Sequence, residues 1–221
     1  MLNLPRTTEV NKIIAKDKIY DKADVPNALK QSFIKDIDRI VWANKIAPAT
    51  MNITAGRIDE IQVFHIRLKN PSIHQKILET IDKAVPYVIV YVLEYEERFQ
   101  CWIGYKEKSA NNTLSVVKYF HDEWADQPSL SIKGTKTDTI YENLLASLSP
   151  NIKPDEETSD LKEQVEKSVL IDALEKDIEK LTVKMFKEKQ FDKKCRMNVH
   201  LLELTRKLEE LKDEKTGNEN H

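Results

Sequence analysis

Tyr87-Val88-Ile89-Val90-Tyr91-Val92-Leu93 is apolar at every position and rich in β-branched and aromatic residues. A run of that kind suits a strand covered on both faces better than an edge strand, so it predicts the centre of a sheet. Glu96-Glu97-Arg98 makes a short polar break, after which Phe99, Cys101, Ile103 and Tyr105 alternate with Gln100, Trp102, Gly104 and Lys106. The two runs together predict an antiparallel hairpin.

Working upstream, Pro86 ends a helix carrying Ile73, Ile77, Leu78, Ile81 and Ala84, and Ile61 to Leu68 has strand composition. Before that, Asp24 as N-cap and Pro26 in the first turn introduce Leu29, Phe33, Ile37, Ile40 and Val41 at helical spacing. This pattern predicts one helix that runs until Ile46-Ala47-Pro48 stops it. Thr7 or Thr8 caps a shorter helix through Ile14. Downstream, Leu114 to Phe120 and Leu130 to Ile132 are strand candidates, and Thr137 or Asp138 caps a helix bearing Ile140, Leu144, Leu145 and Leu148. The sum is an α+β body over residues 1–150, a mixed or antiparallel sheet packed with helices.

A proline-containing, acid-rich linker over residues 151–160 follows, without apolar rhythm. Beyond it, Ile171, Leu174, Ile178, Leu181 and Met185 keep one a/d register, while Met197, Leu201, Leu204, Leu208 and Leu211 keep another that sevens do not connect to the first. The phase break predicts a coiled-coil-like helical hairpin over residues 161–213, bent around Lys187 to Cys195. Residues 214–221 are expected to be a disordered tail.

Of the 221 residues, 33% are charged and 40% hydrophobic, with 35 Lys and Arg against 37 Asp and Glu. The high charge suits exposed helices, and the near balance argues against dense nonspecific nucleic-acid binding, which needs a Lys/Arg field. Cys101 and Cys195 have neither zinc-ligand spacing nor a disulfide framework. With no signal sequence and no long apolar run, a cytoplasmic location and no membrane contact are expected. No phosphate-cradling glycine loop or nucleophile elbow occurs, and no metal or cofactor is expected.

Four groups of residues remain as candidates. Trp42, Lys45, Pro48 and Thr50 place an aromatic ring and a cation at the expected end of a helix; Lys45, with Lys106 at the end of the hairpin strand, offers charge to a phosphate or carboxylate. The plain alternative is packing by Trp42 and a lysine set against the helix dipole. Glu94, Glu96 and Glu97 with Lys106 and Lys108 faintly suggest a metal-dependent nuclease, but no acid lies two residues before either lysine, and turn charges explain them more simply. His121-Asp122-Glu123 with Trp124 has one histidine only and suits a structural turn. Lys187, Lys189, Lys193, Lys194 and Arg196 surround Phe191 at the expected bend, either a solvated tip anchored by the ring or a basic finger.

Leu4-Pro5, the run Ile40-Val41-Trp42-Ala43-Asn44-Lys45-Ile46-Ala47-Pro48 with Thr50 and Ile53, the strand pair through Tyr105-Lys106, and Glu188-Lys189-Gln190-Phe191-Asp192-Lys193-Lys194 together resemble the bacterial and archaeal domain of unknown function catalogued as DUF 4391. The resemblance brings no catalytic residues. It implies a context, since members tend to be encoded beside helicases and DNA methyltransferases in restriction-like or phage-defence clusters. The function expected is therefore a non-catalytic accessory, protein-binding subunit of such a system. Leu174, Ile178, Leu181, Leu201, Leu204 and Leu208 would form its interaction surface or a self-association surface, so that Leu204→Asp breaks assembly. The alternative is a nucleic-acid-binding protein or divergent metal-dependent nuclease that uses the body.

Overall fold

A computed structural model describes residues 2, 4–108, 114–128, 130, 132–149, 152 and 161–213. It divides into two compact units, residues 1–156 and 157–221. Most of the expected linker and all of the expected tail lie outside the described residues.

The first unit contains a 3-10 turn at Arg6–Thr8, then β1 (Glu9–Ile13), α1 (Lys16–Ala23), α2 (Asn27–Asp36), β2 (Ile37–Ile46), β3 (Ile61–Leu68), α3 (Gln75–Ala84), β4 (Val88–Tyr95), β5 (Arg98–Lys108), β6 (Leu114–His121) and α4 (Thr137–Leu148). The strands form one six-stranded sheet in sequence order. All neighbours are antiparallel except β3 and β4, which are parallel. A parallel pair needs a crossover, and α3 supplies it. The sheet is therefore mixed. Val88 to Leu93 is buried without a break at its centre, as a two-sided strand requires.

Under α1, α2 and α3 lie Phe64, Ile66, Ile89, Tyr91 and Leu93, packed against Ile19, Phe33, Ile77, Leu78 and Ile81. The period of two then sends Val63, His65 and Arg67 to the other face. At the far side of the sheet α4 packs against β5 and β6. Tyr141 Oη fixes it there by donating to Gly104 O and accepting from the Lys106 N–H.

Two expected helices give way to strands. The segment after Thr8 forms β1, not a helix, because its backbone completes the edge of β2. The long helix predicted from Pro26 to Ile46 stops at Asp36, and β2 begins at the next residue. Bulges between Ile37 and Arg39 and between Trp42 and Asn44 explain the misleading rhythm. Each bulge adds a residue, so buried Ile37 and Ile40 fall three apart, as they would on a helix. Lys45 consequently stands in a strand, not at a helix C-terminus.

Smaller corrections concern caps. Asp24 caps no helix start; it is the left-handed C-cap of α1. Lys136 is the N-cap of α4, while Thr137 and Asp138 turn back to the 54–58 loop: Thr137 Oγ1 donates to Ile58 O, and Asp138 accepts the N–H groups of Arg57 and Ile58. Leu130 and Ile132 belong to no strand, although Leu130 is buried.

The second unit is a pair of antiparallel helices, α5 (Leu161–Lys187) and α6 (Phe191–Asp213), packed on each other. Among the described residues, no helix is long and apolar enough to cross a membrane.

Candidate functional site

β1 and β2 put Lys12 across from Trp42, and β2 and β3 put Trp42 across from Phe64 and Lys45 across from Gln62. These pairs form the floor of a groove of about 420 Å³. Lys18 and Lys22 of α1 line it as well, with Ile13, Ile14, Glu60 and the α3–β4 connection through Tyr87. Trp42 Nε1 donates to Asn44 O at 3.0 Å, which holds the indole in one orientation. Lys45 Nζ pairs with the nearly buried Glu60, and Gln62 Nε2 donates to the same carboxylate at 2.7 Å. Pro48 and Thr50 serve the turn that ends β2, where Thr50 Oγ1 donates to Lys45 O and accepts from the Ala47 N–H.

Lys106 does not join Trp42 and Lys45 in the groove. Its ammonium lies 2.7 Å from Asp82 Oδ1 with both side chains sealed from solvent, and it donates to Tyr87 O. Tyr119 Oη donates to the other oxygen of Asp82. Burial raises the Asp82 carboxyl above its ordinary value, with Lys106 and then Tyr119 pulling against that rise. Burial, then the Asp82 charge, raises the Tyr119 phenol, so it remains a donor at neutral pH. The pair anchors α3 to β5 behind the Tyr87 wall of the groove.

The acidic hairpin residues are dispersed. Glu94 lies 2.6 Å from His65 Nε2 and 3.1 Å from Arg67 on the opposite face of the sheet. Glu96 and Glu97 form a two-residue turn, both with positive φ, at the other end of β5 from Lys106. His121 stacks on Trp102, with centroids 4.1 Å apart, and Asp122 Oδ1 accepts the Cys101 N–H. Among the described residues, no group of three or more His, Cys, Asp or Glu is placed to hold a metal ion.

In the hairpin, Leu174, Ile178, Leu181 and Met185 of α5, and Met197, Leu201, Leu204, Leu208 and Leu211 of α6, are half-buried while most of their neighbours are exposed. The two a/d registers therefore face each other across one seam. Lys212 pairs with Glu175 at 2.8 Å near its open end. The chain reverses over residues 188–190, where the Glu188 carboxylate accepts the N–H groups of Lys189 and Gln190. Lys187, Lys189, Lys193, Lys194 and Arg196 are all exposed at this end. Phe191 does not anchor the bend: it is 78% exposed.

The two flanks of the seam differ in chemistry. One hollow, reaching down to Leu181 and Leu204, is lined by Asp177, Lys180, Lys184 and His200. Heptad geometry puts Thr182, Phe186, Leu202 and Thr205 on the other flank, Thr182 level with Thr205 and Phe186 with Leu202. Thr182 and Thr205 donate their hydroxyls to their own helices, at Ile178 O and Leu201 O; the same heptad positions put Asn198 and the Glu175–Lys212 pair on this flank, so its apolar part is Phe186 and Leu202. Phe186 is 75% and Leu202 62% exposed.

The sequence passed over Asp82, Glu60, Gln62 and the lysines of β1 and α1. Only Asp82 left a signal, since it falls one helical turn after Leu78 on the apolar stripe of α3. No curated protein and no solved structure matches the chain. A family model described as a domain of unknown function, DUF4391, matches residues 2–208, and the chain belongs to that family.

Proposed function

We propose that the chain is a non-catalytic interaction subunit that docks on a protein partner through the helical hairpin. What supports this reading is the pair Phe186 and Leu202, large, apolar and exposed on helices that need tertiary contacts. No residue of α6 is buried, and helices of this length owe most of their stability to packing. Covering one Phe or Leu side chain contributes about 1.5–3 kcal/mol, enough for Phe186 and Leu202 to act as anchors of an interface. The partner proposed is a helicase or DNA methyltransferase of a restriction-like or phage-defence system, on the gene context tied to the family.

The test is co-purification of the chain with its neighbouring gene products, followed by light scattering, for the parent and for Phe186→Asp with Leu202→Asp. The parent is expected to gain the mass of a partner and the double variant to lose it. A parent mass unchanged on mixing with every neighbouring product removes the proposal. A doubled mass of the chain alone, abolished by the same substitutions, assigns the flank to a second copy instead.

A further inference from the structure

The groove between α1 and the β1–β3 edge carries more positive charge than the fold needs. Four lysines line it, Lys12, Lys18, Lys22 and Lys45, against a single carboxylate, Glu60, which Lys45 and Gln62 already engage. Among the described residues, Lys12, Lys18 and Lys22 have no acidic partner. Lys18 and Lys22 are four apart on α1, so their ammonium groups project one turn from each other along the same wall. Two adjacent ammoniums suit a compact, multiply charged anion better than a single carboxylate.

Apart from Gln62, the rest of the groove lining is apolar or aromatic. Trp42 is held by its indole N–H, Tyr87 stands partly open on the α3–β4 connection, and Ile13 is 64% exposed beside them. An aromatic wall next to a cluster of lysines matches a ligand with a flat ring at one end and phosphate at the other. The volume, about 420 Å³, is within the roughly 300–1,000 Å³ of small-ligand sites.

We infer that this groove binds a nucleotide, its ring against Trp42 and Tyr87 and its phosphates on Lys12, Lys18 and Lys22. The nucleotide is either free or the phosphorylated end of a nucleic-acid strand, for both present the same ring and phosphate. The inference is independent of the hairpin and its partner, because every residue of the site belongs to the first unit.

Full-length protein is titrated with ADP, with a 5′-phosphorylated oligodeoxyadenylate, with its 5′-hydroxyl counterpart and with inorganic phosphate, by calorimetry and tryptophan fluorescence. The expected result is binding of ADP or of the phosphorylated oligonucleotide, weakened about tenfold or more in Lys18→Ala with Lys22→Ala. Both lysines are exposed, so the fold is expected to persist, and an unchanged circular dichroism spectrum checks it. ADP binding that equals that of the phosphorylated strand assigns a free nucleotide; binding of the phosphorylated strand alone assigns a strand end. The inference fails if none of the probes binds, if inorganic phosphate binds as tightly as ADP, if the 5′-hydroxyl strand binds as well as the phosphorylated one, or if the double variant binds as the parent does.

Discussion

His65 is held 2.6 Å from Glu94 on the face of the sheet away from α1–α3, with Phe99 tilted beside it. Burial lowers its pKa, and the adjacent Glu94 only partly offsets this. A histidine depressed in the folded state binds its proton more readily when unfolded. Stability is therefore complete above the unfolded value of about 6.5 and declines as the pH falls through it toward the folded value, by at most ~1.4 kcal/mol per pH unit. Urea midpoints at pH 7.5 and 5.5 should show this drop in the parent and a smaller one in His65→Gln; equal drops would remove His65 as the cause. Nothing in the spacing of His65 and Glu94 announces their contact, since the parallel register of β3 on β4 creates it. Lys106 was legible as a strand-end cation, but its burial against Asp82 depends on how α3 lies over β5. A residue's type and its position along an element can be read from the chain, whereas its depth depends on the neighbour that covers it.

Elements differ in how openly their sequence declares them. The β4–β5 hairpin was legible because alternation and turn coincide, and Glu96-Glu97 adopts the two positive φ values that a two-residue connection between twisted strands requires. β2 was not legible, because its two bulges give a strand the apolar spacing of a helix. The break between α5 and α6 was legible as a phase change, and the a/d leucines it separates close on each other. That seam changes what Leu204→Asp would report. Leu204 faces α5 near Leu181, so a charge there should open the hairpin and cost about 1–3 kcal/mol, less than at a fully buried leucine because Leu204 is half-buried, with loss of helical circular dichroism. Leu202→Asp, on the outer flank, should leave the helical signal intact. If both variants lose helicity equally, Leu202 belongs to the packing of the hairpin and not to a free surface.

Across the whole chain, burial is distributed very unevenly. β3 and β4 are covered on both faces and tied by ladders to strands on either side, so their amides open only when the sheet itself comes apart. α6 has no buried residue and one apolar seam, so local opening exposes little surface and requires little free energy. Hydrogen exchange followed by mass spectrometry should therefore find amides of β3 and β4 protected close to the global stability, and those of α6 exchanging orders of magnitude faster. The two proposed binding surfaces separate in the same experiment. A protein partner seated on the Phe186–Leu202 flank should slow exchange in α5 and α6 and leave β1 and α1 as they were. A nucleotide in the groove should do the reverse, slowing exchange in β1 and α1 around Lys12, Lys18 and Lys22. Protection of α6 equal to that of β4 in the isolated chain would mean that the hairpin is already stabilised by contacts beyond its seam, and the outer flank would lose its claim to be waiting for a partner.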